Sequence, residues 1–247
     1  MMPAMTNWPR RCAAVISCFN EAERIGPLVT DVRRHLPRVI VVDDGSTDAT
    51  AQIAHERGAN VVRLSRNRGK GAALRAGCQR AHEDGFAWVL MLDGDGQHSP
   101  EDAPAFFECA DSDGARLVVG NRMGRTEAMP WLRRKVNAWM SRRISAMTGA
   151  TLPDSQCGFR LAHLETLRQL RLTTNHFEIE SEVLVAFLAA GQRVEFVPIQ
   201  TIYHAGPSRI RPLPDAWRWW RWLRKQRQTR AYSPATVWTR PHPNPVS

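Results

Sequence analysis

No stretch of this 247-residue chain approaches the roughly 20 apolar residues that a bilayer-crossing helix needs, so a soluble or peripheral protein is expected. The N-terminus offers basic residues and then only a short apolar run, which fits a buried strand. A secretory signal would need a longer apolar region and a cleavage site. The five cysteines (Cys12, Cys18, Cys78, Cys109, Cys157) form neither a CxxC pair nor a zinc spacing. An odd count without a signal points to reduced thiols in a cytoplasmic protein, at most peripheral at the inner face of the membrane. No internal repeat is found. Acidic residues are the other shortage: 24 Asp and Glu face 34 Lys and Arg, giving a net charge of +10. That excess favours a polyanionic partner, whether nucleic acid, an anionic membrane surface or phosphorylated substrates. Apolar residues, by contrast, are present in ordinary measure at 43%, enough for a packed core.

The first half alternates short β-rich runs with amphipathic helical patterns. Strands are expected at 14–18, 39–42, 61–64, 88–92 and 117–119, with helices starting near Glu21, Thr47, Gly71 and Pro100. Apolar runs of this length, separated by helices, are what a parallel sheet covered on both faces requires. The expectation is a doubly wound, mostly parallel, Rossmann-like α/β domain. Ligands in such sheets gather at the carboxyl ends of the strands. The polar residues obey that rule: Asn20-Glu21, Asp43-Asp44-Gly45-Ser46, the run from Ser65 to Gly71, Asp93-Gly94-Asp95-Gly96-Gln97 and Gly120-Asn121-Arg122 each follow a strand. The second half is read as a basic helix at 131–148 (Arg133, Arg134, Lys135, Arg142, Arg143), a polar loop at 153–160, a helix at 180–190 and a strand at 194–198. A Pro/Arg-rich segment at 204–214 then leads to a Trp/Arg-rich helix at about 215–229. A single catalytic domain is expected over 1–230, with a loose tail at 231–247.

Two carboxylates bracketing Gly94 after a buried strand form a compact hard-oxygen set, suited to Mg²⁺ or Mn²⁺ together with phosphate oxygens and water. Gln97 adds a neutral oxygen. An Asp-Gly turn is the plainer reading, and the convergence of four other polar loops weighs against it. Asp43 and Asp44 suit ribose hydroxyls or a base N–H, while Ser46 or Thr47 is placed to cap the following helix. Gly69-Lys70-Gly71, at the start of a helix, has the form of an anion site. Named phosphate motifs fit it poorly: the phosphate-loop spacing lacks its first glycine, and Leu74 stands where a dinucleotide fingerprint has its third.

The ordered set CFNEAERI, VVDDGSTDAT, NRGKGAALRAG, MLDGDGQHSP, GNR, DSQCGFR and FEIESEVL resembles family 2 of the inverting glycosyltransferases. More narrowly, it is similar to the polyprenyl-phosphate sugar transferases of the dolichol-phosphate mannosyltransferase type, over about residues 12–215. The resemblance implies a GT-A fold and a UDP- or GDP-sugar donor. Asn20, Glu21, Asp43, Asp44, Lys70 and Asp93 would meet the donor. Asp93, Asp95 and Gln97 would hold the cation that bridges its diphosphate. Arg122, with Arg133 or Arg134, matches positions that meet an acceptor phosphate, and Ser208-Arg209 stands where a Ser-Lys pair is usual. The family branch with long C-terminal membrane spans does not match.

Inverting transfer is an in-line displacement at the anomeric carbon, with the cation (Asp95) taking up charge on the departing diphosphate. A hydroxyl acceptor requires a base, for which Asp154 is preferred over Glu178 and Glu180. A phosphate acceptor is already anionic and requires only positioning, by Arg122. Acids at a helix start are also favoured by the dipole alone, and His98 and His176 read as packing or surface residues. The Trp/Arg helix suits a bilayer headgroup zone or packing against the domain. Two competitors are a sugar nucleotidyltransferase, which usually has a glycine-rich loop where CFNEAERI stands, and a nucleic-acid binder, for which no helix-turn-helix or aromatic RNA-binding signature is present. No nucleic-acid partner is expected.

Overall fold

The computed structural model describes residues 7–124, 129–202 and 212–228. The chain enters through a short helix, α1 (Trp8–Arg11), and then alternates strand and helix: β1 (Cys12–Cys18), α2 (Ala22–His35), β2 (Val39–Asp43), α3 (Thr50–Glu56), β3 (Asn60–Arg63), α4 (Lys70–Glu83) and β4 (Trp88–Asp93). A single 3₁₀ turn (Pro100–Asp102) precedes α5 (Ala103–Asp113) and β5 (Leu117–Asn121). The remainder is α6 (Trp131–Thr148), β6 (Arg160–His163), α7 (Leu164–Gln169), α8 (Ile179–Ala189), β7 (Val194–Pro198) and α9 (Pro212–Gln228).

Every residue of β1 and β2 is buried, because helices cover both faces of the sheet. That explains why these strands read as unbroken apolar runs rather than alternating ones. The strands form one seven-stranded sheet in the order β3-β2-β1-β4-β6-β5-β7. β1 pairs parallel with β2 and β4, β2 with β3, and β5 with β7. The expected strands are all present, each within two residues of its expected ends, and β7 matches to the residue. β6 was not foreseen. It lies antiparallel between β4 and β5, at the end of what reads in sequence as one polar loop.

Packing aims the loops. Gly77 of α4 lies against the sheet so closely that a Cβ there would collide with Val15 and Val42. The missing side chain lets α4 sit low and delivers its first residue, Lys70, to the carboxyl edge. Beneath that edge Phe159 is fully buried, with its ring 4.4 Å from Phe106 and 5.3 Å from His98. α6 stops at Gly149, which takes the left-handed conformation (φ 73°) as its C-cap. Among the described residues no helix is long and apolar enough to cross a membrane. All five thiols are free, and burial pushes those of Cys78 and Cys157 up to about 12, so they stay protonated and inert.

Candidate active site

In the parallel register Cys18 lies beside Asp43 and Ser17 beside Asp93. Three loops therefore leave the sheet side by side. The first two are stitched together by their own polar groups. Asn20, in the left-handed region (φ 53°), accepts from the Thr47 amide and hydroxyl through Oδ1, while its own N–H donates to Ser46 Oγ at 2.8 Å. The Glu21 N–H donates to Thr50 Oγ1 at 2.8 Å, and its carboxylate pairs with Arg24 at 3.1 Å. The cap of α3 is neither Ser46 nor Thr47, which serve Asn20. The cap position is Ala49, which offers no side-chain bond; Asp48, one residue earlier, accepts through Oδ1 from the Thr50 amide at 3.0 Å and also from the Thr50 hydroxyl.

The adjacent acids Asp43 and Asp44 have separate duties. Asp44 accepts from the amides of Arg68 (2.7 Å) and Gly69 (2.8 Å), and Gly71 N–H donates to the Asn175 carbonyl at 2.8 Å. Of the amides around the start of α4, those of Arg68 and Gly69 thus hold Asp44 as their anion and that of Gly71 is taken by a carbonyl. Burial lifts the Asp44 carboxyl above its usual range despite these two bonds. Asp43 is fully buried. Its Oδ1 accepts from Ser46 N–H at 2.9 Å; its Oδ2 lies 3.3 Å from Arg63 Nε without a hydrogen bond.

Lys70 does not point its ammonium into an open phosphate site. It lies partly buried between Asp93 and Glu180 and is ion-paired to both. Burial opposes the charge on Asp93, but Lys70, with Arg122 nearby, holds the carboxyl below its usual range. For Glu180 burial wins and the carboxyl is raised, and its Oε2 has no hydrogen-bond partner. The order of α8 after β6 brings Glu180 here across more than a hundred residues of chain, and local sequence gives it no more than helix-start status. Asp95, two residues beyond Asp93, accepts from Gln97 N–H at 3.0 Å and forms no ion pair among the described residues. Gln97 Oε1 accepts from Arg133 at 3.3 Å. Gly158 closes over this pair: a Cβ there would stand 2.5 Å from Asp93 Oδ2 and 2.8 Å from the Lys70 ammonium.

No group of three or more His, Cys, Asp or Glu gathers around a point among the described residues, so a closed, all-protein metal cage is not the fit. An open site is. Asp95 keeps free acceptor capacity, Asp93 and the Gln97 amide flank it, and the side-chain-free Gly158 leaves room at the carboxylates. A small hard cation that takes one or two carboxylates and completes its shell with phosphate and water suits that donor set. His98 is buried and its imidazole is held neutral by that burial; it packs on Phe159 and is no part of the set.

Arg122 follows β5 and reaches the loop before β6. Its Nε and Nη2 grip both oxygens of the fully buried Asp154 at 2.7 and 2.9 Å, and its amide donates at 3.2 Å. Burial opposes ionisation of Asp154, yet Arg122 overrides it and the carboxyl is held below its usual range. A depressed carboxylate with both oxygens committed makes a poor proton acceptor. Asp154 is thus placed to orient Arg122, and its committed oxygens weigh against the expected role as a base. Arg160, also buried, donates to the carbonyls of Cys157 (2.7 Å) and Ser155 (3.1 Å) and to that of Glu180. It moulds the loop that carries Asp154 and Gly158. Arg134 is exposed on α6 beside Arg133. Ser208 and Arg209 lie outside the described residues, as does the segment 231–247.

The Glycosyl transferase family 2 profile matches residues 13–171. Glycosyltransferase AglJ of Haloferax volcanii is 34% identical over 77% of this chain, which spans 62% of that protein. A dolichyl-phosphate hexose transferase of the same organism is 30% identical over 81% of this chain and 86% of its own length. Among solved structures, glucosyl-3-phosphoglycerate synthase of Mycobacterium tuberculosis, crystallised with Mn²⁺, UDP and phosphoglyceric acid, superposes with a TM-score of 0.70. That comparison covers 90% of this chain and 78% of the other at 20% identity, a likeness of fold. The same enzyme has also been crystallised with Mg²⁺ and UDP. With a GT-A sheet, its polar loops massed at one edge and the profile spanning most of the catalytic half, the chain belongs to glycosyl transferase family 2 and is a glycosyltransferase.

Proposed function

We propose that this glycosyltransferase moves the sugar of a UDP- or GDP-linked donor onto a lipid-linked phosphate, with inversion at the anomeric carbon. The observation that carries the reading is the Arg122–Asp154 pair. A guanidinium held in a fixed plane by both carboxylate oxygens is suited to meet a phosphate, and Asp154, whose oxygens are already taken and whose carboxyl is held low, is a poor proton acceptor. A phosphate oxygen is already anionic and attacks without losing a proton. The names of the relatives agree: besides the hexose transferase, a Methanococcus voltae protein 28% identical to this one is a UDP-N-acetylglucosamine–dolichyl-phosphate N-acetylglucosaminyltransferase.

Asp43 Oδ2, buried without a hydrogen bond, is suited to accept an N–H from the donor base or a ribose hydroxyl, with Glu21 alongside. Asn20 and Asp44 serve the donor indirectly, by fixing the loops. Lys70 holds Asp93 ionised and in place; Asp93, Asp95 and Gln97 would hold Mg²⁺ or Mn²⁺. The cation, when bound, neutralises charge on the departing diphosphate. Arg122 orients the incoming phosphate, with Arg133 and Arg134 at the mouth and Ser208-Arg209 as a further contribution.

The test is transfer of labelled sugar from UDP- and GDP-sugars to a polyprenyl phosphate and to the matching polyprenol. Product from the phosphate alone, retained in Asp154→Asn at reduced acceptor affinity, supports the reading. Product from the alcohol, abolished in that variant, overturns it in favour of base-assisted transfer to a hydroxyl.

A further inference from the structure

The two helices that flank the acceptor side, α6 and α9, hold ten of the chain's 34 basic residues and one of its 24 acidic ones, leaving 24 against 23 elsewhere. Almost the whole net charge of +10 is therefore concentrated on 35 residues. The single acid, Asp215, is neutralised by Arg218. These helices also bear most of the large apolar side chains exposed among the described residues: Trp131 (63%), Leu132, Val136 and Trp139 on α6, Trp217 (57%) and Trp220 on α9. Tryptophan and base alternate at one-turn spacing. Lys135 stands 4.9 Å over the Trp131 ring and Arg143 5.4 Å over Trp139; on α9, Arg221 stands 5.5 Å over Trp217 and Arg224 4.6 Å over Trp220.

Of the two readings of the Trp/Arg helix, packing against the domain describes one of its faces and leaves the other uncovered. Trp219, Trp222 and Leu223 are buried against the domain, whereas Trp217 and Trp220 face outward. Trp219 joins the helices, with its ring 5.5 Å from that of Trp139.

We propose that the outward faces of α6 and α9 form one docking surface for an anionic lipid bilayer. Exposed tryptophans with short aliphatic neighbours and snorkelling bases are the composition of an interfacial helix, and acid-free cationic faces complement anionic headgroups. Charge alone would serve nucleic acid equally; the exposed Leu132 and Val136 beside the tryptophans favour the bilayer. The inference deepens the lipid-phosphate reading and rests on it for its purpose, because the surface is wired to the site. The Trp219 indole N–H donates to Ser181 Oγ at 2.9 Å, and Gln156 Nε2 donates to the same hydroxyl at 2.9 Å and to Ser155 Oγ at 2.8 Å. The Gln156 amide donates to Asp154 at 3.0 Å, and Arg133 of α6 reaches Gln97. A bilayer seated on these helices thus presents its headgroups at a fixed position relative to Arg122.

The experiment is co-sedimentation of the full chain with phosphatidylcholine vesicles, with and without phosphatidylglycerol. Three variants are compared: Trp131→Ala/Leu132→Ala, Trp217→Ala/Trp220→Ala, and all four changes together. Binding is expected on the anionic vesicles only, to weaken with salt, and to fall on the order of tenfold for each pair. Arg142→Glu with Arg221→Glu, which leaves the apolar residues intact, should abolish it. Nucleotide binding by calorimetry should be unchanged in every variant, showing that each is folded. The proposal is overturned by equal binding of wild type and the fourfold variant, by binding that ignores phosphatidylglycerol, by capture of duplex DNA in place of vesicles, or by a dimer that the fourfold change dissolves without any vesicle binding. If the protein docks as described yet transfers sugar to no lipid phosphate, the surface stands and the acceptor reading fails.

Discussion

Along the β1, β2 and β4 edge the carboxylates are held chiefly by the chain itself: Asp44 by two amides, Asp43 by a third, Asp48 by Thr50, Asp93 by Lys70. On α6 and α9 Arg134, Arg142, Arg143, Arg221 and Arg224 are exposed, and the two helices carry one acid. The first region is preorganised, its loops fixed by short local bonds that cost nothing to reform when a ligand arrives. The second is a surface that waits for charge from outside. At the boundary lie Asp95, which forms no ion pair among the described residues, and Arg122, gripped by the buried Asp154.

The contrast is broken most severely at that boundary. Asp95→Ala should lower transfer and donor hydrolysis on the order of 10³-fold, with thermal stability changed by no more than about 0.5 kcal/mol. Chelation of the wild type should match it, and full activity after both would remove the metal assignment. Arg122→Ala leaves Asp154 buried without its partner and should cost about 3–5 kcal/mol in denaturant unfolding, whereas Arg122→Lys should retain the fold and raise KM for the acceptor more than it lowers kcat. Gly158→Ala drives a methyl group into Asp93 and Lys70; a loss of about 1–3 kcal/mol is expected, with weakened cation binding seen by calorimetry. The smallest effect is on pH. Because Asp154 and Asp93 titrate below their unfolded values, their stabilisation is full above about pH 4 and is lost as pH falls through the folded values. Urea unfolding from pH 6 downward should show that slope, and Asp154→Asn should flatten it.

The β1, β2 and β4 edge was largely legible in the sequence because its signals are local. A strand that ends in Asp43 and one that ends in Asp93 announce themselves by apolar runs followed at once by carboxylates. What the acids do there was less legible. Whether Asp44 meets a ligand or the Gly69 amide depends on a loop from the next strand, and Lys70 looks like a phosphate binder until Glu180 arrives from α8. Asp154 was assigned to proton transfer for the company it keeps in the DSQCGFR loop, and only the approach of Arg122 from another strand shows that its lone pairs are spent. β6 escaped notice because Arg160, a charged residue, opens it. Its burial follows from three carbonyls that no sequence pattern reveals. The longer helices were legible, their phase being a local property, whereas the short α1 and α7 were not expected, and which face of α9 packs and which stays open is a matter of neighbours.

The antiparallel strand has one further effect. By slipping between β4 and β5 it spaces the carboxylate loop from the guanidinium loop by two ladder steps, roughly 10 Å at about 4.8 Å each. Running opposite to both, it also begins at their common edge, so Arg160 and the turn before it floor the gap. The sheet thereby works as a gauge: the breadth between the Asp93 loop and the Arg122 loop is set by hydrogen-bond ladders, which give far less than side chains do.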